Sequence, residues 1–189
     1  MFGVMFGHDT VRSLLAAVDL VNTAVSPDTL RTPADLEAFV TERNFTGVRR
    51  GTPAELHEVR MVRPIVRHML TGPPLEIVEL VNRLLREARA VPQLVKHDEL
   101  EWHVHAVADG APLSTRILVE IAVAMLDVLR ADENVRIRVC EAPACERLVM
   151  DLSRNRSRRF CSSACGNRVA VAAYRSRRRS GAAPQPVQV

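Results

Sequence analysis

Long apolar runs, glycine-rich loops, aromatic side chains and lysine are all scarce in this 189-residue chain, and each scarcity excludes something. The longest apolar stretch, Ile117 to Leu129, is broken by Glu120 and Asp127 and is too short to cross a bilayer. The opening MFGVMFGHD carries neither a basic segment nor a useful apolar one, so the chain is expected in the cytoplasm rather than outside the cell. No serine or cysteine nucleophile motif and no phosphate-cradling glycine loop is present, and no enzyme is expected. Lysine occurs once, as Lys96, among 26 basic residues. A GC-rich genome would produce that bias by itself, so only the clustering of arginine carries information. No internal repeat occurs.

What is present is globular: 47% hydrophobic and 25% charged residues. The net charge of +4 hides an asymmetry. Residues 1–139 carry 16 basic against 19 acidic side chains, whereas residues 140–189 carry 10 arginines against Glu141, Glu146 and Asp151. All four cysteines also lie in that basic segment. The expected organisation is an α/β (α+β) domain over 1–134, mostly helical with a small sheet, then a small cysteine-bearing domain over 135–180 and a frayed tail over 181–189.

The hydrophobic spacing predicts a helix over 9–24. Thr32-Pro33-Ala34-Asp35 and Thr52-Pro53-Ala54-Glu55 each offer an N-cap threonine, a proline at the first helical position and an acid at the third. Helices are therefore expected over 33–42 and 53–70, with Pro64 bending the second and Thr52/Glu55 closing a capping box. Pro74 leads into a helix over 75–90, and residues 93–106 alternate like a hairpin. Pro112 opens a helix to Arg130, and Val135 to Val139 reads as a strand delivering Cys140.

Cys140-x4-Cys145 and Cys161-x3-Cys165, fifteen residues apart, have the spacing of a tetrahedral zinc site. The first pair forms a knuckle, and Ser162 N-caps a helix that places Cys165 in its first turn. Knuckle, hairpin and helix make a treble clef. Two disulfides are the rival, but they need an oxidising compartment to which nothing addresses the chain. Four thiolates close the tetrahedron, and all six histidines precede Cys140, so a single zinc would be structural.

Arginine surrounds these cysteines. Arg154, Arg156, Arg158 and Arg159 lie between the pairs, and Arg168, Arg175, Arg177, Arg178 and Arg179 follow the second. On a helix starting near Ser163, Arg168, Arg175 and Arg179 share one face, while Val169, Ala173 and Tyr174 are expected to pack on the finger. Guanidinium groups among serines and asparagine suit phosphates, so nucleic-acid contact is expected rather than a merely solubilising run. Only Phe160 and Tyr174 are available for base stacking, which favours duplex DNA over RNA. An acidic protein partner of the transcription machinery is the main alternative.

Cys165-Gly166-Asn167-Arg168, preceded by the stretch from Asp151 to Cys161, resembles the CGNR zinc-finger proteins. Asp19-Leu20-Val21-Asn22-Thr23 and Trp102-His103-Val104-His105 resemble the ABATE domain that precedes that finger. The resemblance implies an α/β N-terminal domain, a treble clef whose ligands are the four cysteines, and a stress-related transcription regulator.

Three residues of the first domain stand out as effector-binding candidates: Asn22, His103 and His105. Asn22 sits beside a buried face, where an amide usually fastens a neighbouring backbone. His103 and His105 share a strand face and are close enough to share a metal or an anion, with Asp98, Glu99 and Glu101 as possible carboxylate partners; a half-exposed sheet face is the simpler reading. The domain is thus expected to sense an effector or to form a homodimer.

Overall fold

The computed structural model describes residues 6–96 and 102–179. Its helices are α1 (His8–Asn22), α2 (Pro33–Glu42), α3 (Pro53–Thr71), α4 (Pro74–Glu87), α5 (Leu113–Arg130) and α6 (Ser163–Arg179). The strands are β1 (Gln93–Val95), β2 (His103–His105), β3 (Ile137–Val139) and β4 (Leu148–Met150). β1 pairs antiparallel with β2, and β3 with β4, so two separate hairpins accompany a mostly helical body.

The helix starts follow their caps, with one reversal. Thr32 accepts from the Asp35 amide, and Asp35 Oδ2 accepts from the Thr32 amide at 2.8 Å, closing the capping box. At α3 the box expected for Thr52 and Glu55 is half made. Thr52 accepts from the Glu55 amide, but buried Glu55 turns its Oε2 to the Arg50 and Gly51 amides, both at 2.9 Å. The left-handed Gly51 (φ +62°) lets the loop curl onto that carboxylate. α3 runs on through Pro64, whose missing N–H leaves the Arg60 carbonyl unpaired within the helix; Arg63 Nε reaches that oxygen at 3.4 Å.

The core gathers around α5, against which α1, α3 and α4 pack. Leu14, Leu20, Met69, Ile117, Ile121 and Met125 are fully buried there. Ile137, Leu148 and Met150 join the same cluster, so the second hairpin lies directly on the helical body. Alternation along β4 explains how: Leu148 and Met150 face the body, and Val149 faces a second cluster with Cys140, Ala142, Cys165, Phe160 and Val169. One strand serves two cores.

The strand expected over Val135 to Val139 is half helical. Residues Asn134–Arg136 form a 3-10 turn, and the strand begins at Ile137. The turn sets Glu133 and Arg136 three residues apart, with buried Arg136 Nε on Glu133 Oε2 at 2.7 Å. Arg136 also donates to the Asp151 and Ser153 carbonyls, each at 3.0 Å. A buried guanidinium needs those acceptors, and an extended backbone would not bring them together.

A four-cysteine centre and the arginines around it

β3 leads directly into Cys140, whose amide continues the ladder to the Arg147 carbonyl at 2.8 Å. Between them the chain turns through Ala144 in the left-handed region (φ 59°), with the Cys145 amide on the Ala142 carbonyl. At the other end Ser162 Oγ accepts from the Cys165 amide at 3.3 Å, capping α6 as its sequence predicts. These two turns bring all four sulfurs within 4.8 Å of one another. The separations are 3.8 Å for Cys145–Cys161, 3.5 Å for Cys161–Cys165 and 3.9 Å for Cys145–Cys165. A tetrahedron with zinc–sulfur bonds of about 2.3 Å has edges of about 3.8 Å. The donor set therefore fits zinc in size as well as chemistry. Burial pushes the Cys161 thiol up to about 12, and its hydrogen bond to Cys165 helps draw that thiol down to about 7. A divalent cation displaces all such shared protons.

Besides the ligand, two residues of the Cys165–Arg168 motif have a physical task. Gly166 lies against Phe160, where an added Cβ would come within 3.3 Å of the ring. Arg168, expected on a phosphate-facing surface, turns its guanidinium to Cys165 Sγ at 3.5 Å, where it offsets thiolate charge. Asn167 is exposed.

Asp151, to which the sequence assigns no role, organises the loop that carries the first arginines. It is fully buried and accepts from the Ser153 amide and hydroxyl, the Arg158 amide and Arg138. Burial would raise its carboxyl, but those hydrogen bonds hold it below the ordinary value. The Asp151-x-Ser153 spacing of an Asx turn was the available signal.

The arginines divide into two sets. Arg156 pairs with Glu133 at 2.8 Å, Arg159 pairs with Glu141 at 2.6 Å and lies over Phe160, and Arg158 points back to the Met150 carbonyl. By contrast, Arg154, Arg175, Arg177, Arg178 and Arg179 are exposed and make no ion pair with a described carboxylate. Val169 is the last α6 residue packed on the finger; Ala173 and Tyr174, expected to pack there too, are exposed, and Arg178 lies over the Tyr174 ring at 5.9 Å. The finger's small cluster extends no farther along the helix.

In the body, the Asn22 amide brackets Leu148, donating to its carbonyl at 3.0 Å and accepting from its amide at 2.7 Å. Both polar atoms are taken by β4. His103 and His105 do share a face, with Nε2 atoms 3.2 Å apart, and His105 Nε2 is 3.3 Å from the Thr46 hydroxyl. His103 is buried rather than half exposed. Asp98, Glu99 and Glu101 lie outside the described residues. Among the described residues, only the four cysteines gather three or more metal-binding side chains.

A class follows from this geometry: a helical domain bearing a treble-clef zinc finger, with Cys140, Cys145, Cys161 and Cys165 positioned to hold one structural Zn2+. Residues 136–178 match the CGNR zinc finger, and residues 15–132 match ABATE, described as "Putative stress-induced transcription regulator". The chain belongs to the ABATE family and carries a CGNR finger. Both are non-enzymatic kinds of domain. No curated protein matches it, and no described helix is long and apolar enough to cross a membrane.

Proposed function

We propose that this chain is a zinc-dependent, DNA-binding transcription regulator of the cytoplasm. Residues 1–134 sense an effector or dimerise, and residues 135–180 dock arginines on duplex DNA. The observation that carries the reading is the distal part of α6: exposed throughout from Ala170 to Arg179, one-signed, and unmatched by a described carboxylate. Arg175, Arg177, Arg178 and Arg179 meet phosphates there, and Arg154 on the preceding loop adds a fifth contact or reaches a groove edge. Arg159 holds a weak, exposed ion pair that a phosphate can replace, and Arg156 presents the open side of its pair with buried Glu133 to the same ligand. The poverty of stacking aromatics favours duplex over RNA.

The test is anisotropy with mixed-sequence duplex across a salt series. Replacing Arg175, Arg177, Arg178 and Arg179 with Ala should weaken all duplexes alike and flatten the log–log salt slope by roughly three to four units. Unchanged affinity and slope would leave the acidic protein partner as the reading, assayed by binding that survives nuclease.

A further inference from the structure

Arginines also gather where the helical body meets the zinc knuckle. A cleft of about 350 Å3 opens there between the end of α1, the middle of α3 and Glu146, lined by Val21, Val25, Arg60, Arg63, Pro64 and Arg67. The clefts beside His105 hold only about 30 and 10 Å3. Pockets for small organic molecules begin at around 300 Å3, so size alone directs attention to the first.

Its charges are unevenly spent. Arg63 is buried and fully engaged, donating to Asp28 Oδ1 at 3.0 Å, Asp28 Oδ2 at 2.8 Å and the Thr23 hydroxyl at 3.1 Å. That bidentate pair holds the Asp28 carboxyl below its ordinary value. Arg60 gets only the remainder of the same carboxylate, at 3.4 Å. Arg67 has no carboxylate partner among the described residues; its guanidinium donates to the Glu146 carbonyl at 2.9 Å. Arg60 and Arg67 are two helical turns apart on α3, with Pro64 between them on the same face. The result is two underused guanidinium groups flanking an apolar floor of Val21, Val25 and Pro64.

We infer that this cleft binds a small organic anion, carrying phosphate or carboxylate groups held by Arg60 and Arg67 and an apolar part resting on Val21, Val25 and Pro64. The inference rests on the reading of the body as a sensor and is independent of duplex binding. It also supplies a route between the two regions. Arg67 holds the carbonyl of the residue next to the zinc ligand Cys145, and an anion that recruits Arg67 releases that carbonyl.

Calorimetry on the zinc-loaded full chain, without DNA, provides the test, with inorganic phosphate and glutarate as separate probes. Saturable binding by phosphate alone identifies a phosphate ligand, and by glutarate alone a dicarboxylate; either supports the site. Arg60→Ala with Arg67→Ala should weaken that binding roughly tenfold or more, whereas Arg83→Ala with Arg86→Ala, on the exposed face of α4, should not. Absence of saturable binding by both probes, or equal binding by the Arg60/Arg67 variant, overturns the site. Bound probe should shift the amide resonances of Glu146 and Arg147; binding with those resonances unmoved overturns the route to the knuckle.

Discussion

The helical body buries Leu14, Leu20, Met69, Ile117, Ile121 and Met125 completely, whereas the cysteine region's own cluster consists of Cys140, Ala142, Val149 and Cys165 with a few half-buried neighbours. The first is held by apolar packing and helix caps, and the second by sulfur coordination. Small units near the lower size limit for a hydrophobic core commonly need such a metal. Yet the two are not independent, because Leu148 and Met150 enter the body's core while Val149 closes the finger's. A contact this intimate makes the body a support for the metal centre as well as its neighbour.

Removing the metal is the severest way to break this comparison. Structural zinc contributes on the order of 10 kcal/mol to comparable fingers. Cys140→Ser or a strong chelator should therefore unravel the chain from Cys140 onward while α1 to α5 keep their helicity. Limited proteolysis with circular dichroism checks this; a chain that resists cleavage after Cys140 without zinc contradicts it.

Truncating the shared strand should affect both regions. Leu148→Ala opens a fully buried site and is expected to cost about 2–5 kcal/mol. Chemical denaturation should show the whole chain weakened, and zinc transfer to a chromogenic chelator should become faster. Asn22→Ala tests the polar fastening instead. It leaves the Leu148 amide and carbonyl without their amide partner and should cost about 1–3 kcal/mol. If zinc release is unchanged in that variant, the bracket steadies the body alone.

Acid separates the two regions by sign. Burial raises the Glu120 carboxyl to about 6, opposed by the Ser13 hydrogen bond. The ionised group therefore costs stability at neutral pH, and the cost fades as pH falls through 6 and is gone below the unfolded value of about 4.3. Glu120→Gln should stabilise the body by about 2 kcal/mol at pH 7.5 and by nothing near pH 4. The finger behaves oppositely, losing zinc as its thiolates regain protons. Thermal melts of the zinc-loaded variant and parent across that range measure both.

Much of the scaffold was legible from spacing. α2 and α3 begin at Pro33 and Pro53 because threonine caps and first-turn prolines are local signals that need no partner. The zinc ligands were legible for a similar reason: knuckle and helix turn each place two sulfurs within a few residues, and the metal joins the pairs. The Asn22 expectation of a fastened backbone matches its bracket on Leu148, although the partner 126 residues away had no local trace. Ala173 and Tyr174 stay exposed where periodicity predicts packing, because helical periodicity tells which residues share a face, not how far the opposing surface extends.

The sequence by itself therefore determined the helices with strong caps, the four-sulfur centre and the concentration of arginine around it. All depend on neighbours within a turn or on the chemistry of one residue type. Only the tertiary structure decided which arginines remain unpaired, that β4 feeds two cores, that Asp151 is a buried hub and that α3 and the knuckle enclose a cationic cleft. Those outcomes depend on which carboxylate, carbonyl or apolar face arrives from a distant segment, and spacing along the chain carries no record of that.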